Sequence, residues 1–358
     1  MEKIRFDDFI KLNRGFDLPD AKIVEGAYPV VASTNIKAYH NEYKVEGPMV
    51  VTGRSGSLGT VQYIEEKCWP LNTSLYVKDF KGNNPRYVYY YLQTMHLEQY
   101  NAGAGVPTLN QNHLHSLRIN IHVGEEQRKI ASILSSYDSL IENNTKRIRL
   151  LKQMAENLYK EWFVRFRFPG HEKVKMESGV PKSWNKGTLI DICEFKRGKN
   201  ITSDEMVEGY VPVISAGLTP SGFHNKANVK GASVTMSSSG ANAGYISFHY
   251  SDIWAADCSF VDTQTTKYIY FVYEMLNNMR IVINNFQRGA AQPHVYPKDI
   301  NRIRLIIPEE YLIIKANEQF KMFHTEIKNL IEQNQSLTRQ RDLLLPRLMS
   351  GKLEVNDR

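Results

Sequence analysis

Cysteine is scarce in this chain: three residues in 358, Cys68, Cys193 and Cys258, each isolated from the others. None belongs to a CxxC pair or to a Cys/His cluster with ligand spacing, which argues against a disulfide framework and a structural metal and fits a reducing cytoplasm. Long apolar runs are absent as well. No stretch approaches roughly 18 uninterrupted apolar residues, and the opening segment through Phe16 has no apolar signal core, so neither membrane insertion nor secretion is expected. There is no GxxxxGK[ST] loop, so ATP hydrolysis is not encoded here. Negative charge is in deficit. Against 45 Lys and Arg stand 38 Asp and Glu, a formal charge of +7 that favours an anionic partner without locating one.

Catalytic constellations are equally thin. Asn84-Pro85-Arg86-Tyr87 approximates the tetrad of an amino-methyltransferase, but Arg86 replaces its second proline and no cofactor loop precedes it. A surface turn is the better reading. Asp20 with Glu65-Glu66-Lys67 offers the carboxylates and lysine of a metal-dependent nuclease. Those residues are far apart and have no counterpart in the second half of the chain, which favours solvated charge. Asp257-Cys258-Ser259 and the scattered histidines, His40, His96, His113, His115, His224, His249 and His294, form no triad.

What the chain has is helix. From Glu125 to Phe163 there is no glycine or proline, and Ile130, Leu134, Tyr137, Ile141, Ile148, Leu151, Ala155, Leu158 and Trp162 recur in heptad fashion. One seam position is polar, Asn144. At about 1.5 Å per residue the helix is about 55 Å long, longer than one compact domain needs, so its seam calls for a long partner.

An internal repeat supplies it. Aligning Gly15 with Gly198 places Val24-Glu25-Gly26 on Val207-Glu208-Gly209 and Pro29-Val30 on Pro212-Val213. Further on, with small insertions, Trp69 answers Trp254, Gly103 and Pro107 answer Gly289 and Pro293, and Leu114, Leu117 and Ile119 answer Ile300, Ile303 and Leu305. Leu134, Tyr137, Ile141, Leu151 and Leu158 then fall on Phe320, Phe323, Ile327, Leu337 and Leu344. The second helix carries the same seam, through Ala316, Leu330, Arg341 and Leu348, and it too has one seam asparagine, Asn334. Antiparallel pairing with Asn144 opposite Asn334 brings Ile130 to Leu348, Ile148 to Leu330 and Trp162 to Ala316. It also sets Arg341 against Tyr137, where the guanidinium can stack. A polar pair inside a seam lowers stability while fixing register; that each asparagine merely touches solvent at a widened point is an equal alternative.

The predicted class is α+β, two similar mixed α/β domains separated by two long antiparallel coiled-coil helices in a pseudo-twofold internal repeat. The expected boundaries are a first domain at 1–122, a first spacer helix at 123–165, a connector at 166–182, a second domain at 183–308, a second helix at 309–350 and a tail at 351–358. Two related basic domains on a rigid spacer suit two patches of one extended partner, and on B-DNA such patches recur every ~34–36 Å on one face. The glycine-rich turns Gly53–Gly59 and Ser237–Gly244 are candidate hairpin tips. Arg54, Ser55, Ser57, Ser237, Ser238, Ser239 and Asn242 carry groups able to meet base edges, as do Asn110, Gln111, Asn112, His113, Gln292 and His294 after the later loops. For any one of them the plainer role is a polar turn or a helix cap.

Glu126-Gln127 followed by Ile130 and Leu134, the helix end Leu158-Tyr159-Lys160-Glu161-Trp162-Phe163, and the closing Leu343 to Leu353 (LLLPRLMSGKL), together with the tandem repeat, resemble the specificity subunit of type I restriction-modification enzymes. The resemblance covers essentially the whole chain. It implies two non-identical target recognition domains reading a bipartite double-stranded DNA sequence, and helices that set the gap and dock methyltransferase subunits, two per chain, and through them the restriction subunit. The chain itself would then be non-catalytic and without cofactor, with S-adenosylmethionine, ATP and Mg used by its partners in the cytoplasm. One departure is Pro308-Glu309-Glu310-Tyr311 where the first half has Glu125-Glu126-Gln127. The alternatives are a DNA-modifying enzyme, methyltransferase or nuclease, with a catalytic site of its own, and an inert coiled-coil scaffold.

Overall fold

The computed structural model describes residues 1–289 and 293–355. It divides into two compact units, one built from Met1–Asn143 with the segment from Gln333 onward, the other from Asn144–Glu332. The sheet plan is the same in both. In the first unit an antiparallel sheet runs in the order Lys11–Arg14, Ser74–Asp79, Met49–Gly53, Val61–Ile64. Beside it, Tyr28–Val31 pairs antiparallel with Ile36–His40 and parallel with Trp69–Pro70, and Glu2–Arg5 pairs with Arg118–Ile121. The second unit repeats this with Lys196–Arg197, Cys258–Asp262, Ser233–Ser237, Ile246–His249, with Val211–Ile214 between Gly222–His224 and Trp254–Ala255, and with Asn185–Thr188 against Arg304–Ile307. The central strands Met49–Gly53 and Ser233–Ser237 are buried along their whole length, the small hydroxyls of Thr52, Ser233, Thr235 and Ser237 included.

The two long helices, Glu125–Tyr159 and Glu310–Met349, each give one segment to each unit. In the first unit Ile130, Ala131 and Leu134 join Leu348 and Met349 in a core with Phe6, Phe9, Val50 and Tyr87. In the second, Ala155, Tyr159 and Phe163 join Leu312, Ala316 and Phe320 around Val234, Met236 and Phe271. Every seam position of both helices is buried or half-buried, Asn144 among the buried. Beyond Tyr159 the first helix widens into a π-turn over Lys160–Val164 that carries Phe163 into the core. The connector is not loose, since Phe168 is buried and stacks on Trp184 at 5.7 Å. Cys68, Cys193 and Cys258 are buried free thiols. Among the described residues no helix is long and apolar enough to cross a membrane.

Polar groups fix the helices against the sheets. Gln127, 2 % exposed, accepts the Asn84 N–H and donates to Asn83 Oδ1 and the His122 carbonyl, tying the start of the first helix to its domain. The second helix begins differently, as the proline-containing sequence foretold: Glu310 takes Lys267 at 2.8 Å and the Tyr268 hydroxyl, and Asn317 Oδ1 accepts the N–H groups of Tyr270 and Phe271. Asn334 donates across the seam to the Ile141 carbonyl at 3.3 Å. The stack of Arg341 on Tyr137 gives way to ion pairing. Its guanidinium donates to Asp138 at 2.7 Å and to Asp342 at 2.8 Å, because charge-assisted hydrogen bonds outweigh a cation–π contact for a half-buried arginine. Asp138 is also bonded by the Tyr90 hydroxyl at 2.5 Å.

The corresponding position of the second helix is His324. It lies 3.0 Å from Glu274, the two side chains being 3 % and 4 % exposed, and its other ring nitrogen meets the Tyr250 hydroxyl at 3.0 Å. Removing one member of such a buried pair strands the other, at a cost of about 3–5 kcal/mol. Glu274→Ala should therefore lower the calorimetric transition of the second unit by several degrees; an unshifted transition would show that the pair carries no weight.

A second group links this unit to pH. Burial lowers the His249 pKa from 6.5 to about 4, and the ring sits 2.7 Å from the Thr235 hydroxyl. The folded chain thus keeps the ring neutral where the unfolded chain protonates it. The associated stability is complete above about pH 6.5 and is lost as pH falls towards 4, by up to about 3 kcal/mol. His249→Phe should flatten the fall of the urea midpoint between about pH 6.5 and pH 4.5; parallel curves for the two proteins would refute this titration.

Candidate nucleic-acid interface

The two glycine-rich turns are not free hairpin tips. In the first unit the Arg54 and Ser55 N–H groups both donate to the Thr73 carbonyl, at 2.8 and 3.0 Å. The Gly56 N–H reaches the Pro107 carbonyl at 2.9 Å, Leu109 N–H reaches the Arg54 carbonyl at 2.8 Å, and Ser55 bridges Thr108. Gly56 has φ +84°, which glycine adopts without strain. In the second unit the Gly240 N–H donates to Pro293 at 3.0 Å, Val295 N–H to Ser238 at 3.0 Å, Ser239 bridges His294, and Gly240 has φ +74°. Each turn is thus bound to the later loop of its own half by the same backbone bonds. The frame equates Arg54 with Ser238, Ser55 with Ser239, and Thr108 with His294.

The side chains on that frame differ. In the first unit a cleft of about 300 Å³ is lined by Arg14, Arg54, Thr108, Asn110 and Gln111 over an apolar floor. Arg54 donates to the Asn72 carbonyl at 3.4 Å, and Arg14 lies 3.8 Å from an exposed Asp17. Asn110 caps the helix Gln111–Ser116 by accepting the Asn112 N–H at 2.9 Å, and Asn112 and Ser57 are exposed. The side-chain oxygen of Gln111 is buried in the cleft wall without a partner. An unpaired amide beside two guanidinia is the donor and acceptor set that reads purine edges.

In the second unit the serines expected at a tip lie inside. Ser237, Ser238 and Ser239 are 5 %, 1 % and 8 % exposed. Their hydroxyls meet the Ala216 carbonyl at 3.0 Å, the Ser259 hydroxyl at 3.5 Å and Asp257 at 2.5 Å. Small hydroxyls satisfy the polar groups of a buried turn, so these three shape the loop and leave the accessible chemistry to Asn242, half-buried in the turn Gly240–Asn242, and to His294, stacked on Tyr296 at 6.1 Å. Gln292 lies outside the described residues. Arg197, the counterpart of Arg14, is held by Asp257 at 2.5 Å, so its charge is more closely matched than that of Arg14. Arg14 stood outside the expected reader set; the recurrence of Arg-Gly at Arg14-Gly15 and Arg197-Gly198 was its available signal.

The motifs weighed as catalytic have structural employment. Asn84 caps the helix Pro85–Thr94 by accepting the Tyr87 N–H at 3.0 Å, and Arg86 lies 3.8 Å over the Tyr63 ring and pairs with Glu65. Asp20 pairs with Lys37.

A family model, the type I restriction modification DNA specificity domain, matches residues 1–153 and again 181–338. The chain is 26 % identical over 351 residues to the type I restriction enzyme MjaIX specificity subunit of Methanocaldococcus jannaschii, covering 87 % of this chain and 79 % of that one. It is 22 % identical to the HindI specificity subunit of Haemophilus influenzae, covering 69 % and 71 %. Among solved structures it resembles the type I restriction-modification S subunit from M. genitalium with a TM-score of 0.70, over 97 % of this chain and 96 % of that one, at 21 % identity, a likeness of fold. With both halves of the chain matched separately by one model, and with the two halves built on one plan, the chain belongs to the family of type I restriction-modification DNA specificity proteins.

Proposed function

We propose that the two bonded loop pairs are the readers of a split DNA target, one half-site for each unit. The chain is a DNA sequence-specificity subunit of a type I restriction-modification system, and subunits of this kind act with methyltransferase and restriction subunits. The observation that carries the two-reader model is the repeated backbone frame: Gly56 to Pro107 and Gly240 to Pro293 hold equivalent loops, while Arg54 and Thr108 stand where Ser238 and His294 stand in the other. A shared frame with exchanged side chains is what two readers of different bases require. On this reading the chain is non-catalytic and selects where its partners act. The twofold repeat offers equivalent docking faces for two methyltransferase subunits, which with the restriction subunit use S-adenosylmethionine, ATP and Mg, and the assembly works in the cytoplasm.

Methylome sequencing of cells carrying this chain with its methyltransferase should return a bipartite motif. Arg54→Ala and Gln111→Ala should relax one or two positions of one half only, by about 1–3 kcal/mol or about 5- to 150-fold in discrimination. His294→Ala should act on the other half alone. A continuous motif, or a single loop variant that alters both halves, would sink the two-reader model.

A further inference from the structure

Beside the second reader the surface continues as a groove towards the first long helix. On that helix Arg149, Lys152 and Glu156 occupy one face at helical spacing, and Tyr273, Asn277 and Arg280 do the same across from them. Both faces line one hollow of about 540 Å³. Tyr245 and Arg280 are shared with a smaller hollow of about 240 Å³ that reaches Asn242 in the reader turn. Reader turn and helix face therefore line adjoining hollows that meet at Tyr245 and Arg280.

Its charge is positive and uncommitted. Arg149, Lys152 and Arg280 are exposed, and among the described residues none of them has an ion-pair partner; Arg280 lies 5.6 Å over the exposed Tyr245 ring. The two carboxylates in the groove are already engaged, Glu156 by Lys160 at 2.5 Å and Glu274 by His324 at 3.0 Å. The side-chain oxygen of Asn277 is buried there without a partner. Three like charges held together without counterions repel one another, an arrangement that favours an anion between them.

We propose that this groove binds the phosphate backbone of the DNA next to the second half-site, so that the first long helix is a DNA-contacting surface as well as a spacer. The proposal rests on the Asn242 turn and the His294 loop bonded to it being a DNA reader, since it is the turn's place beside the groove that identifies the anion as DNA. Phosphate contacts position a duplex and carry no sequence information. Their signature is salt dependence: each contact contributes about 0.9 to the slope of log affinity against log salt.

The test measures that slope for the complete complex with its methyltransferase, on a duplex carrying the motif returned by methylome sequencing and on a scrambled duplex. The triple variant Arg149→Gln, Lys152→Gln, Arg280→Gln should lose about 2–3 from the slope on both duplexes while methylating the same motif. Arg147 lies on the same helix but is paired with Glu326 at 2.7 Å, so Arg147→Gln should leave the slope in place. The pair Arg149→Lys with Arg280→Lys keeps the charge and should keep the slope; an equal fall there would trace the loss to folding and overturn the proposal. An unchanged slope in the triple variant overturns it too. Weaker retention of the methyltransferase at unchanged slope would assign the groove to an acidic protein surface. A changed base in the motif would make these residues readers. The scrambled duplex separates the two ideas, because its slope reports the groove even if no bipartite motif exists.

Discussion

Everything in this structure depends on one packing constraint: neither core is complete without a segment of both long helices. Ile130 and Leu134 fill the first core together with Leu348 and Met349 from the far end of the chain, and Ala155 and Tyr159 fill the second with Ala316 and Phe320. A fully buried Leu or Phe contributes about 1.5–3 kcal/mol. Sliding one helix past the other by a turn would remove several such side chains from both cores at once. The register is therefore held by the interiors of the domains, and the polar contacts, Asn334 to Ile141 and Arg341 to Asp138, select among the few registers that packing tolerates.

The second constraint acts at the loops. If these loops are the proposed readers, they have to be rigid enough to discriminate and variable enough to be changed. Here the backbone supplies the rigidity through bonds that do not depend on side-chain identity, Gly56 to Pro107 in one unit and Gly240 to Pro293 in the other. Side chains on the frame are then exchangeable at small cost to the fold. The exceptions are instructive. Ser237, Ser238 and Ser239 are committed to buried bonds, so their replacement would disturb the loop itself, whereas Arg54, Thr108 and His294 lie at equivalent places with different chemistry.

Much of the architecture was legible in the sequence because it is written twice. Heptad spacing announced the helices, and the offset between Gly15 and Gly198, carried through Trp69 and Trp254, announced two copies of one domain. Less legible was everything that depends on side chains distant in sequence coming together. Gly53–Gly59 reads as a hairpin turn from its glycines, and it is one; that the turn is bonded to Pro107 and Leu109 is a long-range fact that no local pattern encodes. Burial of the serines follows from that bonding and was hidden for the same reason. Arg341 was set against the right turn of the partner helix, yet its choice of Asp138 over the adjacent Tyr137 is an energetic preference among neighbours that seam spacing does not resolve.

The two polar pins between domain and helix show how duplicated halves avoid confusion. In the repeat alignment Asp138 corresponds to His324, and the helices Pro85–Thr94 and Ile269–Asn278 present Tyr90 and Glu274 to them. The native pairs are a phenol on a carboxylate and an imidazole on a carboxylate, both hydrogen-bonded. Were the domains exchanged, Glu274 would meet Asp138, two carboxylates of like charge in a poorly hydrated place, and the Asp138 that Arg341 also engages would lose its hydroxyl donor. Specificity can come from repulsion in the wrong pairing as well as from contacts in the right one. Divergence at this single pair of positions therefore gives each domain a polar contact matched to its own helix.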